Sequence, residues 1–227
     1  MTAIPEFFRF SRALLRGDHL AAAPGDPARP DRSPGMLVGV VIVFGFLYGG
    51  VMGTYDGRAL QMLYSAIKVP LLLLVTFGLS LPSFFIFNTL LGLRDDFARV
   101  FRALLATQGG LTIILASLAP ITEFSYLSGL SYRVAILFNG LMFGIASVSA
   151  QWILRREYRP LIAANPRHRT MLKVWIFIFT FVGIQMGWVL RPFIGDPANK
   201  VQFFRPDSLG NAYVVVLEMI WNVLTIR

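Results

Sequence analysis

Five apolar stretches separate the charged parts of this sequence, at about residues 35–53, 69–91, 103–121, 134–154 and 171–190. Each approaches the roughly 20 residues that an α-helix needs to cross about 30 Å of hydrocarbon. Lipid offers the backbone no hydrogen-bonding partner, so each stretch is predicted to be a helix that satisfies its own N–H and C=O groups. A sixth stretch, 209–226, would be about 27 Å long as a helix. It carries Glu218 and Asn222. The pattern therefore predicts an all-α integral membrane protein with six transmembrane helices, or five plus an interfacial or re-entrant last helix.

The first 34 residues read differently. "IPEFFRFSRALLRG" has helical periodicity, with Arg9, Arg12 and Arg16 on one face and Ile4, Phe7, Phe8, Leu14 and Leu15 on another. That pattern suits an amphipathic helix in the membrane interface, or one docked on a partner. "AAAPGDPARPDRSPG" is then an extended linker. Two parts result: a tail over 1–34 and a single polytopic domain over 35–227. No short apolar core with a small-residue cleavage site follows the basic start, so no cleaved signal peptide is expected.

Composition agrees with a bilayer as solvent. Hydrophobic residues make up 56% and charged ones 15%, with mean hydropathy +0.63, against roughly 25% charged in soluble domains. The net charge of +9 sits between apolar spans and not on a soluble basic face. Anionic lipid headgroups are its expected counter-charge, and nucleic acid is not. Lys and Arg alternate by loop: fourteen fall in the tail and the segments after the second and fourth spans, six on the other side. The positive-inside rule then places the N-terminus in the cytoplasm, of a bacterial inner membrane. "RREYRPLIAANPRHRTMLK" concentrates Arg155, Arg156, Arg159, Arg167, Arg169 and Lys173 against one acid, Glu157, and is the candidate contact for anionic lipid on that side.

Candidate chemistry is sparse. No cysteine is present, which removes disulfides, thiolate nucleophiles and thiolate-held metals. His19 and His168 lie in charged connecting segments, and no metal or cofactor site is expected. Hydrolase, zinc-protease and nucleotide-binding signatures are missing. "YDGRAL" at 55–60 has the wrong spacing for an alcohol phosphotransferase motif. The adjacent acids Asp95 and Asp96 sit among arginines and read as surface neutralisation. No catalytic residue is predicted.

Structural candidates are more numerous. Gly35, Gly39, Gly45, Gly49 and Gly53 give the first span three G-x-x-x-G spacings, a surface for close helix packing. Pro82, in the middle of the second span, predicts a kink, with Thr76 or Ser80 able to satisfy freed carbonyls. Asn88, Asn139, Gln108, Gln151 and Gln185 suit hydrogen bonds between helices. "RPFIGDPANKVQFFRPDSLGN" predicts an ordered cap on the non-cytoplasmic side. In it Arg191 and Arg205 would pair with Asp196, Asp207 or Glu218, as a clamp or as a ligand site.

Three stretches also carry a resemblance. "IKVPLLLLVTFGLSLPSFFIFNTLLGL" at 67–93, "LRPFIGDP" at 190–197 and "FFRPDSLGNAY" at 203–213 together resemble a family of uncharacterised bacterial polytopic membrane proteins. The general build is also similar to Yip1-type multispan proteins. Some family members carry an automatic actin-binding (WH2) label. The nearest sequence to that motif here, "MLKVW" at 171–175, opens an apolar span, so the label is rejected. The resemblance implies a topology and no activity. The function expected from the sequence is a non-catalytic scaffold or accessory subunit of an inner-membrane assembly, with protein partners and membrane lipids around it. The alternatives are a small transporter or channel component, with Pro82 and Glu218 in its pathway, and a lipid-modifying or lipid-binding membrane protein using Arg191, Asp196, Arg205 and Asp207.

Overall fold

The structure is a computed structural model, and it describes residues 3–17, 33–205, 210 and 213–214. Six α-helices occupy the described residues: α1 (Ala3–Arg16), α2 (Pro34–Met52), α3 (Ala59–Leu90), α4 (Phe97–Leu127), α5 (Tyr132–Ala164) and α6 (Arg167–Val189). The last five are long and apolar enough to cross a membrane. Large apolar side chains that water would not tolerate in such number stand outward, among them Leu137 (74% exposed), Trp152 (74%) and Phe177 (72%). The chain is a multi-span helical membrane protein by length and composition. The sixth span predicted at 209–226 falls almost wholly outside the described residues, as does His19.

Several helices are longer than the apolar stretches. α5, at 33 residues, spans about 50 Å, well beyond a ~30 Å hydrocarbon layer. The basic stretch 155–164 is therefore a helical extension and not the loop read from its charge. The actual connections are short. Ser33 caps α2 by accepting the Met36 N–H at 3.3 Å, with Pro34 at the first helical position. Left-handed glycines, Gly92 at φ +71° and Gly129 at φ +79°, close the turns after α3 and α4.

α2 is central and packs on both α3 and α4; α3 also carries α6, and α4 also carries α5. Glycine explains the α2–α3 approach. A Cβ at Gly49 would overlap the Ser65 carbonyl and lie 2.9 Å from Ala66 Cα, and one at Gly53 would lie 2.6 Å from Met62 Cα. Gly45 sits beside Pro70, at 3.3 Å. Gly35 and Gly39 meet nothing within 4 Å. Among the described residues, only the second half of the predicted glycine groove packs within the chain.

α3 runs unbroken through Pro70 and Pro82. Ser80 donates to the Thr76 carbonyl at 2.7 Å. The carbonyl that Pro82 leaves without a donor belongs to Gly78, four residues back, so Ser80 does not serve it.

α1 is docked on α4 and α2. Phe10 and Leu14 enter the core, while Phe8 is 60% exposed and Leu15 37%. The buried stripe is thus turned from the predicted one, because Leu14 fills the space left by Gly109, whose Cβ would stand 3.1 Å from it. Arg156 donates to the Leu14 and Leu15 carbonyls at 2.8 and 2.9 Å, satisfying the open C-terminal end of α1.

At that same end, His168 is fully buried, with Nε2 3.1 Å from an Asp96 carboxylate oxygen. Arg167 donates to the Leu91 carbonyl at 3.1 Å. Asp96 also pairs with the exposed Arg99 at 3.4 Å, the surface neutralisation the sequence suggested, and adds a contact between connections through His168. Glu157 is buried too, at 4% exposure.

Candidate functional site

At the opposite end of the bundle, residues 190–205 of the predicted cap pack over the start of α3, whose side chains hold their backbone. Arg58, Gln61, Ser65 and Lys68 form one ladder along the turn before α3 and its first turns. Lys68 is fully buried and donates to the Pro192 carbonyl at 2.7 Å, with its ammonium 4.9 Å from the Phe203 ring centre. Ser65 and Gln61 both donate to the Phe193 carbonyl, Gln61 at 3.2 Å. Arg58 pairs with Asp56 and donates to the Asp196 and Asn199 carbonyls, each at 2.7 Å. The loop's carbonyls are thus satisfied by side chains from α3, which lets a stretch with little secondary structure pack closely. Gly195 is required there, since a Cβ would run into the Asp56 carboxylate.

The predicted cap residues are placed as follows. The Arg191 guanidinium lies 3.3 Å from the Trp188 ring centre, a cation–π contact. The Asp196 carboxylate accepts from the Ala198 N–H at 3.0 Å and the Asn199 amide at 2.7 Å. Arg205 lines the cavity below, within electrostatic reach of Lys68 and against the Tyr132 hydroxyl. Asp207 and Glu218 lie outside the described residues. Nearby, Tyr213 stacks on Phe181 at 4.6 Å and donates to its carbonyl at 2.6 Å, and Gln185 donates to the Gly210 carbonyl at 3.1 Å.

The turn's own hydrogen bonds hold the Asp196 carboxyl below the ordinary value of 3.8, the Ala198 N–H first and the Asn199 amide second. A depressed pKa contributes stability above the unfolded value and loses it as pH falls through the folded one. The cap is therefore expected to keep its structure from neutral pH down to about 4 and to loosen only below that. An environment-sensitive dye on Lys200→Cys, the chain's single cysteine, should report a transition there. Asp196→Asn should remove that transition.

Beneath the cap, α5 and α6 make few contacts with each other. They meet beside their connecting turn, where the Tyr158 and His168 rings are 6.4 Å apart. Beyond it they become opposite walls of the inner part of a cleft floored by α3 and α4, whose outer part lies between α5, α3 and the cap. Its outer compartment holds about 400 Å³ and is lined by Ile136, Asn139, Gly140 and Phe143 of α5, Leu72 of α3, and the cap with Arg191 and Arg205. Its inner compartment holds about 310 Å³ and shares Leu72 and Phe143 with the outer one. Gly140, Gly144 and Gly187 meet nothing within 4 Å among the described residues.

Of the polar residues singled out in the spans, Asn139 joins three helices. It accepts from the Tyr48 hydroxyl at 3.3 Å and donates to the Tyr126 hydroxyl and the Ala135 carbonyl. Asn88 instead closes its own helix, donating to the Leu93 carbonyl at 2.7 Å. Gln108 and Gln151 line the inner compartment. Arg155, Arg159, Arg169 and Lys173 are exposed at the far end, while Arg156 and Arg167 are spent on carbonyls. No group of three or more metal-ligating side chains occurs among the described residues.

Comparison of the chain with protein-family models, with curated proteins and with solved structures finds no match. The cleft and its cap therefore carry the functional argument alone.

Proposed function

We propose that this chain is a lipid-binding membrane protein that takes an anionic lipid from the bilayer into the outer compartment of the cleft, between α5, α3 and the cap. One observation carries the reading. The outer compartment presents Arg205, with Arg191 beside it on Trp188, among walls that are otherwise mostly apolar. A cavity of that size suits part of an amphiphile, and its arginines offer the fork geometry that phosphate oxygens accept. The apolar walls then take the first part of an acyl chain. In this reading the cap lies on the non-cytoplasmic side, following the distribution of positive charge, and the chain is not an enzyme.

A scaffold role keeps one supporting observation: Gly140, Gly144 and Gly187 are uncovered by the described residues, and small residues are where membrane helices approach closely.

Native mass spectrometry in mild detergent tests the lipid reading. Phosphatidylglycerol should be retained in preference to phosphatidylcholine. Arg205→Gln should weaken its retention roughly tenfold, the loss of one charge-assisted contact. Equal retention of both lipids by both proteins would remove the proposal.

A further inference from the structure

The inner compartment has a different chemistry from the outer one, and its polar groups have unmet needs. Thr76 is 1% exposed and Gln108 2%. The Thr76 hydroxyl and the side-chain carbonyl oxygens of Gln108 and Gln151 are shut off from solvent and meet no hydrogen-bonding partner among the described residues. All three residues line the same cavity. Thr107, their neighbour, is satisfied by its own helix, donating to the Ala103 carbonyl at 2.9 Å. Buried polar groups in native proteins are nearly always paired, so three unpaired groups around one space point to an occupant.

The lining also says what that occupant is not. No charged side chain faces the compartment among the described residues, and the rest of its wall is made by residues such as Leu111, Leu154, Trp175 and Phe179. A phosphate or an ammonium there would be left without counter-charge in the apolar middle of the spans. Thr76 stands about 25 Å along α3 from its start, deep in the bilayer. The two glutamine amides can be turned either way, so a group that both donates and accepts fits them in either orientation. A hydroxyl does both.

We infer that the inner compartment recognises the hydroxyl of an uncharged lipid alcohol, a second ligand class beside the anionic lipid of the outer compartment. The inference rests on the reading of the cleft as a lipid site. A lipid whose only polar group is a hydroxyl can reach the bilayer interior, where a charged headgroup cannot. The hydroxyl sits among Thr76, Gln108 and Gln151, and the hydrocarbon leaves past Phe179 and Ile184.

The test uses the full chain in mild detergent, with hexadecan-1-ol and its methyl ether as probes and phosphatidylglycerol as an internal control, all read by native mass spectrometry. The alcohol should be retained about tenfold more than the ether, which cannot donate. Thr76→Val, which keeps the shape, and Gln108→Leu should each reduce that preference several-fold and leave phosphatidylglycerol retention unchanged. The Thr76→Val variant guards against a folding defect. Equal retention of alcohol and ether would mean that ordered water, or another part of this chain such as residues 215–227, satisfies the three groups, and the inference would fall. If phosphatidylglycerol binds and the alcohol does not, only this inference fails. If neither binds, the cleft reading fails with it.

Discussion

Alanine at Gly49 is expected to lower the thermal stability of the protein in mild detergent by about 1–3 kcal/mol, at or above the upper end of that range for one added methyl group. The new Cβ would strike the Ser65 carbonyl and stand 2.9 Å from Ala66 Cα. Both obstacles are backbone, so no side chain can rotate away, and α2 and α3 must separate along their contact. Alanine at Gly39 is the matched control. Nothing lies within 4 Å of that position, and replacing glycine inside a helix gains about 0.5–1 kcal/mol in propensity. Melting curves of the two variants should diverge in opposite directions. A Gly49→Ala protein that melts with the wild type would show that the two helices do not meet as described.

Arg58→Ala should be the second large loss. Its partner Asp56 has a side chain only 3% exposed, whereas Arg58 itself is 32% exposed. Breaking a fully buried pair costs about 3–5 kcal/mol, and an exposed one about 0–1. This mixed pair belongs between them, at roughly 2 kcal/mol. The substitution also strips donors from the Asp196 and Asn199 carbonyls, so the cap should loosen together with the melt. Two readouts separate these effects. A dye on Lys200→Cys follows the cap, and the double variant with Asp56→Asn should recover part of the stability by removing the stranded carboxylate. If the double variant is no more stable than Arg58→Ala alone, the pair is not the source of the loss.

Much of the fold was legible because a bilayer restricts what a chain can do. Five apolar stretches had to be helices, and the charges between them had to be connections or helix ends. The cap could also be read, from two Arg-Pro pairs and the aromatic residues between them. What held the cap could not be read from that segment. Its anchors, Lys68, Ser65, Gln61 and Arg58, lie more than 120 residues away in sequence and bind backbone carbonyls, which every residue carries and no residue type announces. Lys68 in particular looks like an ordinary positive charge at the start of a span. The cleft was hidden for a related reason. Apolar periodicity reveals that α5 and α6 are helices, but not that they diverge after Tyr158 and His168. The polar residues lining the inner compartment were visible as polar, and their lack of partners could appear only in three dimensions.

The contact between α1 and Arg156 has a bearing on how the molecule is made. The carbonyls of Leu14 and Leu15 are met by a side chain 142 and 141 positions downstream. As the chain leaves the ribosome, α1 is finished long before its anchor exists. Phe10 and Leu14 can be covered once α2 and α4 are in place, but the carbonyls of its last turn must wait until the end of α5 has been synthesised. An amphipathic segment can pass that interval lying in the lipid surface, which is the state its alternating arginines and phenylalanines suit. α1 is thus translated well before the anchor that seats it.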